Sequence, residues 1–430
     1  MTTNETALST ASSLVADLVA RFSEPDWLKQ AREEALAKYG ETPAPKLEKT
    51  DLRRRAFDIG PFSNLTAGGS DRARRLLESL QNSPFVFIRD GVVVKTNIPS
   101  ELEEKGIVFS SLHEAVGSHE AIVRKHLSSV VPAGESKWAA LNTAAWTDGA
   151  FVYVPRNTVV DSPVTFVYES SAQAHGAAVH SLVVAEEGSQ LAYTEVFLVD
   201  GELESGKVHS DVLEVVAGAT AHVTVATMTE YKKGPTNFTV RRARLASDAK
   251  VDWLYGDVGD GFTVGLLESD LVGNGSTSTV SGIGLGYGRQ HMDMTVSMLH
   301  RGRHTESDIV MHGGLRQRAN SIYRTSTHIF RQAVGAGSEQ HDRMLMLDGT
   351  ARADAIPMLL IDENDVQRCG HAASVGQIDA WQLYYLKSRG IPEKQARRMM
   401  IWGYLEPTLE AFPNEAVRDF LRQQIDEELV

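Results

Sequence analysis

Cysteine is almost missing from this sequence of 430 residues, because Cys369 is the only one. A single thiol excludes an intramolecular disulfide and fits a reducing compartment. No apolar run approaches the roughly eighteen residues that a membrane span needs. The first segment, MTTNETALSTASSLVADLVARF, lacks the basic start of a secretory signal. These absences together predict a cytoplasmic protein without a membrane span.

Basic residues are in the minority, with 43 Lys and Arg against 56 Asp and Glu and a formal net charge of −13. A nucleic-acid-binding protein would normally carry a basic patch or a high isoelectric point, so this partner class is disfavoured. The 42% hydrophobic and 23% charged content is that of an ordinary globular protein. The length favours two or three domains.

Complete catalytic motifs are also missing. The segment GELESGKV (201–208) approaches a phosphate-binding loop, but Val208 replaces the hydroxyl that would hold magnesium. GIGLGYG (282–288) has Tyr287 and Arg289 where a dinucleotide-binding loop needs glycine, and close strand packing explains its glycines better. There is no G-x-S-x-G, H-E-x-x-H or C-x-x-C. If ATP is used, we expect another chain to hydrolyse it.

Three regions differ in their residue patterns. Residues 1–136 predict a helical and mixed domain, with helices over SLVADLVARF and EPDWLKQAREEALAKYG and an extended connector over 42–57. Residues 137–377 are rich in strand-like runs and poor in amphipathic helices. Residues 378–430 predict helices again, with Asp379, Pro392 and Asn414 at their starts. This last unit is either a docking module or a cap on the β region.

Turn residues recur in the middle region at intervals of 30, 30, 27 and 27 residues. A period of this size, made of strands and turns, is typical of a solenoid. We therefore predict a mainly β protein with a parallel β-helix core. A large β-sandwich with irregular loops is the alternative. The recurring positions are Gly188, Gly218, Asp248, Gly275 and Gly302.

The stretch DVQRCGHAASVG places Cys369 two residues before His371. On a strand, these two side chains share a face, and a thiolate with an imidazole suits iron, zinc or an iron–sulfur cluster. Ordinary packing of a small buried residue is the competing interpretation. Two ligands do not close a metal site, so further ligands would have to come from other turns or from another protein. Three acids precede the pair, and they are Asp362, Glu363 and Asp365.

Histidines are concentrated in the same part of the chain, since seven of fourteen lie within 291–371. His300 and His304 would form a metal pair on a helix, but Gly302 between them makes a helix unfavourable. A stacked β-helix brings residues together from different turns, and the sequence leaves open which ones. The seven are His291, His300, His304, His312, His328, His341 and His371.

The C-terminal third resembles the SufB/SufD family of iron–sulfur cluster assembly proteins. The shared motif includes Pro357, Asp365-Val366, Cys369-Gly370-His371 and Gly376, followed by YLKSRGI at 385–391. Further segments of similarity extend the resemblance from about residue 24 to 410. The SufB branch carries a cysteine where this chain has DGTA at 348–351, so the chain resembles the SufD branch more closely.

The resemblance implies a right-handed parallel β-helix between N-terminal and C-terminal helical domains. It implies a non-catalytic subunit that pairs with a SufB-like subunit through the β-helix and docks a SufC-like ABC ATPase on the C-terminal helices. His371 and Cys369 would lie at the subunit interface and handle transient iron or nascent cluster, with no stably bound cofactor. Leu360 stands where the family usually has an acid. Two rival functions are a carbohydrate-active β-helix enzyme and a self-sufficient SufB-like scaffold.

Overall fold

A computed structural model of the chain describes residues 3–52, 55, 68–172, 176–202 and 206–429. Parts of the predicted connector 42–57 and of the turn 201–208 lie outside these residues. Seven helices and three short strands form the first part of the described chain. Their bounds are α1 Thr3–Phe22, α2 Asp26–Glu41, α3 Asp71–Ser79, β1 Phe85–Arg89, β2 Val92–Asn97, α4 Ser100–Glu104, β3 Val108–Ser111, α5 Leu112–Ser118, α6 Glu120–His126 and α7 Lys137–Ala145.

A run of strands of about ten residues follows α7 and leads into three C-terminal helices. The strands are β4 Ala150–Val154, β5 Val164–Ser171, β6 Ala177–Ala185, β7 Gln190–Asp200, β8 Val208–Ala217, β9 His222–Tyr231, β10 Thr236–Leu245, β11 Lys250–Gly259, β12 Phe262–Leu271, β13 Thr277–Gly286, β14 His291–His300, β15 Glu306–Leu315, β16 Asn320–Ile329, β17 Ala336–Met346, β18 Arg352–Ala355, β19 Met358–Ile361 and β20 Val366–Gln377. The helices are α8 Ala380–Ser388, α9 Glu393–Leu409 and α10 Glu415–Leu429.

The strands form two long sheets that the chain visits in alternation. The first sheet has the order β2-β1-β5-β7-β9-β11-β13-β15-β17-β20, and the second has β18-β16-β14-β12-β10-β8-β6-β4-β3, with β19 beside β16. Pairing is parallel except in β1–β2 and β3–β4. From β6 to β18, each strand therefore stacks on the strand two places earlier in the sequence. This is the predicted parallel β-solenoid, which is confirmed, and its right-handed sense stays a prediction.

One corner of the solenoid explains the loose period of the sequence. A residue with positive φ recurs at each turn there, including Gly188, Thr220 and Asp248. The backbone N–H of each such residue donates to a carbonyl in the next solenoid turn. Gly188 N, for example, donates over 2.9 Å to the carbonyl of Ala219, the residue just before Thr220. Gly218, by contrast, allows close backbone approach, since an added Cβ would lie 2.7 Å from Glu187 N. Some of the periodic residues thus supply a positive φ at this corner, whereas Gly218 leaves room for the backbone of the neighbouring turn.

The outer faces of the two sheets are covered by different helices. Helices α5, α6 and α7 pack on the second sheet, with α1 and α2 over α7. Helices α3, α9 and α10 pack on the first sheet, where they bury Val196, Met228 and Ile283. Within the described residues, no helix is long and apolar enough to cross a membrane.

The interior of the solenoid is apolar at most positions but charged near its middle. Arg241 is fully buried, with Asp257 Oδ1 at 3.5 Å and Asp211 Oδ2 at 3.9 Å from its Nη2 atom. Glu195 lies in the same region, where burial and then the charge of Asp211 raise its pKa to about 8. Glu195 Oε1 accepts hydrogen bonds from Ser181 and Tyr193. The positive charge of Arg241 and the carboxyl groups around it thus stabilise one another within the low-dielectric core.

The two ends of the solenoid differ in the strands that form their edges. At the N-terminal end, the last strands are β2 and β3, which pair antiparallel with β1 and β4. At the C-terminal end, β20 is the last strand of the first sheet, and the short β18 and β19 end the second sheet. The C-terminal end therefore presents unpaired strand edges, and the motif singled out in the sequence lies on the longest of them.

Candidate functional site

Strand β20 carries both predicted site residues at the open end of the solenoid. It is 12 residues long, and it pairs with β17 along its whole length apart from one bulge near Ala336. Most of its residues are exposed. An exposed strand edge of this length presents unpaired backbone N–H and C=O groups, which makes it a template for another strand. The outer edge of β20 is therefore a surface of the described fold that another strand could cover.

Cys369 lies on the face of β20 that points toward the solenoid interior. Its cross-strand partner is the buried Ser338, and its side chain packs against Ile329, Ala333 and Ala336. The thiol is half-buried, and this burial, together with the nearby Glu339, raises its pKa. A raised pKa disfavours the thiolate, which is the form that attacks electrophiles and binds metals. By itself, Cys369 is therefore a weak nucleophile and a weak ligand.

His371 lies two residues further along the same face, as predicted, and it is exposed at the open end. Its cross-strand partner is Gln340, which is fully buried. Asp342, two residues along β17, is also buried, and its Oδ2 atom accepts a hydrogen bond of 2.6 Å from Thr325. Burial raises the pKa of Asp342 to about 6, although His341 and His371 act in the opposite direction. The structure thus adds two polar residues beside the predicted pair.

The other predicted candidates lie elsewhere. Asp362 Oδ2 lies 3.0 Å from His328 Nε2. Glu363 accepts hydrogen bonds from the backbone N–H groups of Asn364 and, in the preceding turn, of Gln332. His300 is buried between Thr305 and Ser307, so it does not pair with His304. Among the described residues, no group of three or more His, Cys, Asp or Glu side chains could hold a metal ion.

Leu360, which departs from the usual family pattern, lies opposite His328 and is half-exposed. Its neighbour Leu359 pairs with the buried Thr327, so alternation places Leu360 on the outer face of the second sheet. Cys369 and His371 face the interior from the first sheet. An acid at position 360 would therefore not lie on the face that carries Cys369 and His371, and its replacement by leucine does not change the surroundings of this pair.

Sequence reasoning missed Gln340 and Asp342. Both lie on β17, about thirty residues before β20, and only the stacking of one turn on the next places them beside the motif. A buried amide and a buried acid on an inward face are unusual for a solenoid core, where burial disfavours polar groups. Neither residue type by itself could have marked the site.

Helix α8 forms a second exposed surface directly after β20. Asp379 caps it as predicted, because its Oδ1 atom accepts hydrogen bonds from the N–H groups of Trp381 and Gln382. None of its residues is buried. Trp381 is 80% exposed, and Tyr384 and Tyr385 are also exposed. Contiguous exposed aromatic side chains are typical of an interaction surface.

Comparison with known proteins identifies the family to which this chain belongs. Residues 166–404 match the family described as "SUF system FeS cluster assembly, SufBD core domain", and residues 74–166 match the "SufBD protein N-terminal region". The chain therefore belongs to the SufBD family of iron–sulfur cluster assembly proteins.

Individual relatives agree with this assignment. The chain is 34% identical to the iron–sulfur cluster assembly protein SufD of Bacillus subtilis, over 98% of both chains. It is 28% identical to a SufBD family protein of Staphylococcus epidermidis, over 94% of this chain and 90% of that one. A SufBD family protein of Staphylococcus aureus is 32% identical over 75% of this chain and 69% of its own. The resemblance found in the sequence is thus confirmed.

Proposed function

We propose that this chain is the non-catalytic, SufD-type subunit of a cytoplasmic iron–sulfur cluster assembly complex. In this proposal, the open end of the solenoid pairs with a SufB-like subunit, and His371, assisted by Cys369, handles iron or nascent cluster at the junction. The single observation that carries the proposal is the position of the Cys369–His371 pair on the exposed edge strand β20.

The edge strand supports pairing with another β-solenoid. Strand addition satisfies a row of backbone groups at once, and the side chains of alternate residues then supply specificity. The same end exposes apolar side chains of Met358, Leu360, Ile361 and Val375. Covering these would remove apolar area from water, which stabilises an interface by about 25 cal/mol per Å² of apolar surface.

The shortage of ligands supports a shared site. Cys369 and His371 supply one sulfur and one nitrogen on one face, whereas an iron–sulfur cluster is ordinarily held by four protein ligands. A partner with thiolates at its own end could complete the set across the junction. In this arrangement the neutral imidazole of His371 acts as a borderline ligand for iron, and the half-buried thiol of Cys369 has the secondary role.

The C-terminal helices support docking of an ATPase. We propose that a SufC-like ABC ATPase binds the surface formed by Trp381, Tyr384 and Tyr385 on α8. Since α8 follows β20 after only Ile378 and Asp379, movement of this helix would act directly on the edge strand. Dimerisation of the ATPase on binding nucleotide would pull on α8 and open the junction around His371.

Anaerobic purification of the tagged chain from its own host tests the complex. We expect a cysteine-bearing β-solenoid homologue and an ABC-type ATPase to co-elute with it. Tyr384→Ala should remove the ATPase and keep the homologue, whereas Val272→Ala, at an exposed turn of the solenoid, should change neither. A monomer without partners would contradict the proposal.

Cluster assembly in the purified complex tests the site. His371→Ala should lower the rate at which cluster absorbance appears by about tenfold or more, since a metal ligand is lost. His341→Ala is the matched control, because His341 is an exposed histidine on the neighbouring strand β17 and faces outward. Equal rates for His371→Ala and wild type, in complexes of the same composition, would rule out the proposed role of His371.

A further inference from the structure

A chain of buried hydrogen bonds runs through the interior of the last turns toward the open end. His300 Nε2 lies 2.8 Å from Ser307 Oγ, which donates to Ser338 Oγ over 2.9 Å. Ser338 Oγ lies 2.8 Å from Thr327 Oγ1. All four side chains are fully or almost fully buried. The chain ends at Gln340, whose amide is bonded to Thr327.

Gln340 is held in one orientation by this chain. Its Nε2 atom donates to Thr327 Oγ1 over 2.6 Å and to the backbone carbonyl of Met358 over 3.2 Å. A carbonyl can only accept, so the atom beside Met358 O must be the amide nitrogen. The Oε1 atom therefore points away from both partners. It is buried and has no hydrogen-bond partner, which is unfavourable for an acceptor.

The residue that faces Gln340 across the ladder is His371. Paired residues on neighbouring strands are about 4.8 Å apart, and both of these side chains lie on the interior face. An imidazole carries at least one N–H in every protonation state. Because His371 is exposed, its ring can turn about two side-chain torsions toward Oε1 without displacing packed neighbours.

We propose that Gln340 is a positioning residue whose Oε1 atom accepts a hydrogen bond from one ring nitrogen of His371, which fixes the tautomer and leaves the other nitrogen free at the open end. Metal-binding histidines usually donate their second ring N–H to a carbonyl or carboxylate. The hydrogen bond itself stands on the geometry of β17 and β20. Its use in holding iron rests on the proposed function.

The tautomer of His371 tests the hydrogen bond directly. The full chain, labelled with ¹⁵N-histidine, would be examined by long-range ¹H–¹⁵N correlation at a pH where the imidazole is neutral, with His371→Gln used to assign the signals. We expect one dominant tautomer in wild type. Gln340→Met keeps the length of the side chain but removes the acceptor, so it should bring the two tautomers of His371 to a mixture.

Two further variants make the test specific. Gln340→Glu keeps an acceptor and should keep the single tautomer of His371. Ser338→Ala interrupts the hydrogen-bond chain that fixes Gln340 and should partly mix the two tautomers. The signals of His341, which faces outward from the same strand, should not change in any variant. Identical His371 tautomer populations in wild type and Gln340→Met would overturn the inference.

Metal binding separates this inference from the proposed function. In the purified complex, Gln340→Met should weaken the binding of Co²⁺, used as a probe for Fe²⁺, by about ten- to a hundredfold if His371 is a ligand. If His371→Ala leaves cluster assembly unchanged, the proposed function fails. The tautomer measurement on the isolated chain still decides whether Gln340 positions His371.

Discussion

The substitution Glu195→Gln should make this protein more stable at alkaline pH. Burial raises the pKa of Glu195 to about 8 from an ordinary value of 4.5, and the charge of Asp211 adds to the effect. The folded state therefore holds the proton more tightly than the unfolded chain. The stability that the protonated carboxyl gives the folded state is fully present below about pH 4.5. It is lost as the pH rises through 8.

The size of the effect follows from the shift in pKa. Each unit corresponds to about 1.4 kcal/mol, so a rise of 3.5 units (8 minus 4.5) sets an upper limit of about 5 kcal/mol. We expect about half of this limit, because burial also raises the pKa of Asp211, and a protonated Asp211 no longer raises the pKa of Glu195. Glutamine keeps the oxygen that accepts from Ser181 and Tyr193, and it cannot ionise.

Urea unfolding of wild type and Glu195→Gln at pH 5 and pH 8.5 measures this difference. The variant should gain roughly 2–4 kcal/mol relative to wild type between the two pH values. Asp257 and Asp342, whose pKa values burial raises to about 6, titrate in both proteins and cancel. The exposed control Glu101→Gln should show no such gain. A pH-independent difference between wild type and Glu195→Gln would refute the reasoning.

Three further predictions follow from particular contacts. Gly284→Ala should lower the melting temperature in scanning fluorimetry, because the new Cβ would lie 1.5 Å from the hydroxyl oxygen of Tyr323, and overpacking costs about 1–3 kcal/mol or more. Glu214→Ala should speed amide exchange at residues 128–131, measured by mass spectrometry, because Glu214 accepts hydrogen bonds from three backbone N–H groups there. Unchanged exchange would contradict this. Cys369 should react with iodoacetamide at pH 8 more slowly than glutathione does, since burial raises its pKa.

Local signals in the sequence were enough to predict the terminal helices. Asp379 caps the start of α8, and Gly390, with a positive φ of 82°, follows the end of this helix. Pro392 directly precedes α9. Such signals act through neighbouring backbone groups, so they work without the rest of the fold. Helix α7 was not predicted. It is almost entirely buried, and a helix that is apolar on all sides lacks the periodic pattern that reveals an amphipathic one.

The sequence by itself determined that the middle region is a stack of short strands, because strand-forming residues alternate and turn residues recur at nearly equal intervals. It also placed Cys369 and His371 on one face, since that depends only on the period of a strand. Tertiary structure alone decided that this face lies at an open edge, next to Gln340 and Asp342. The reason is physical: which residues meet across a parallel ladder depends on the register between turns, and that register is set by the packing of the whole solenoid.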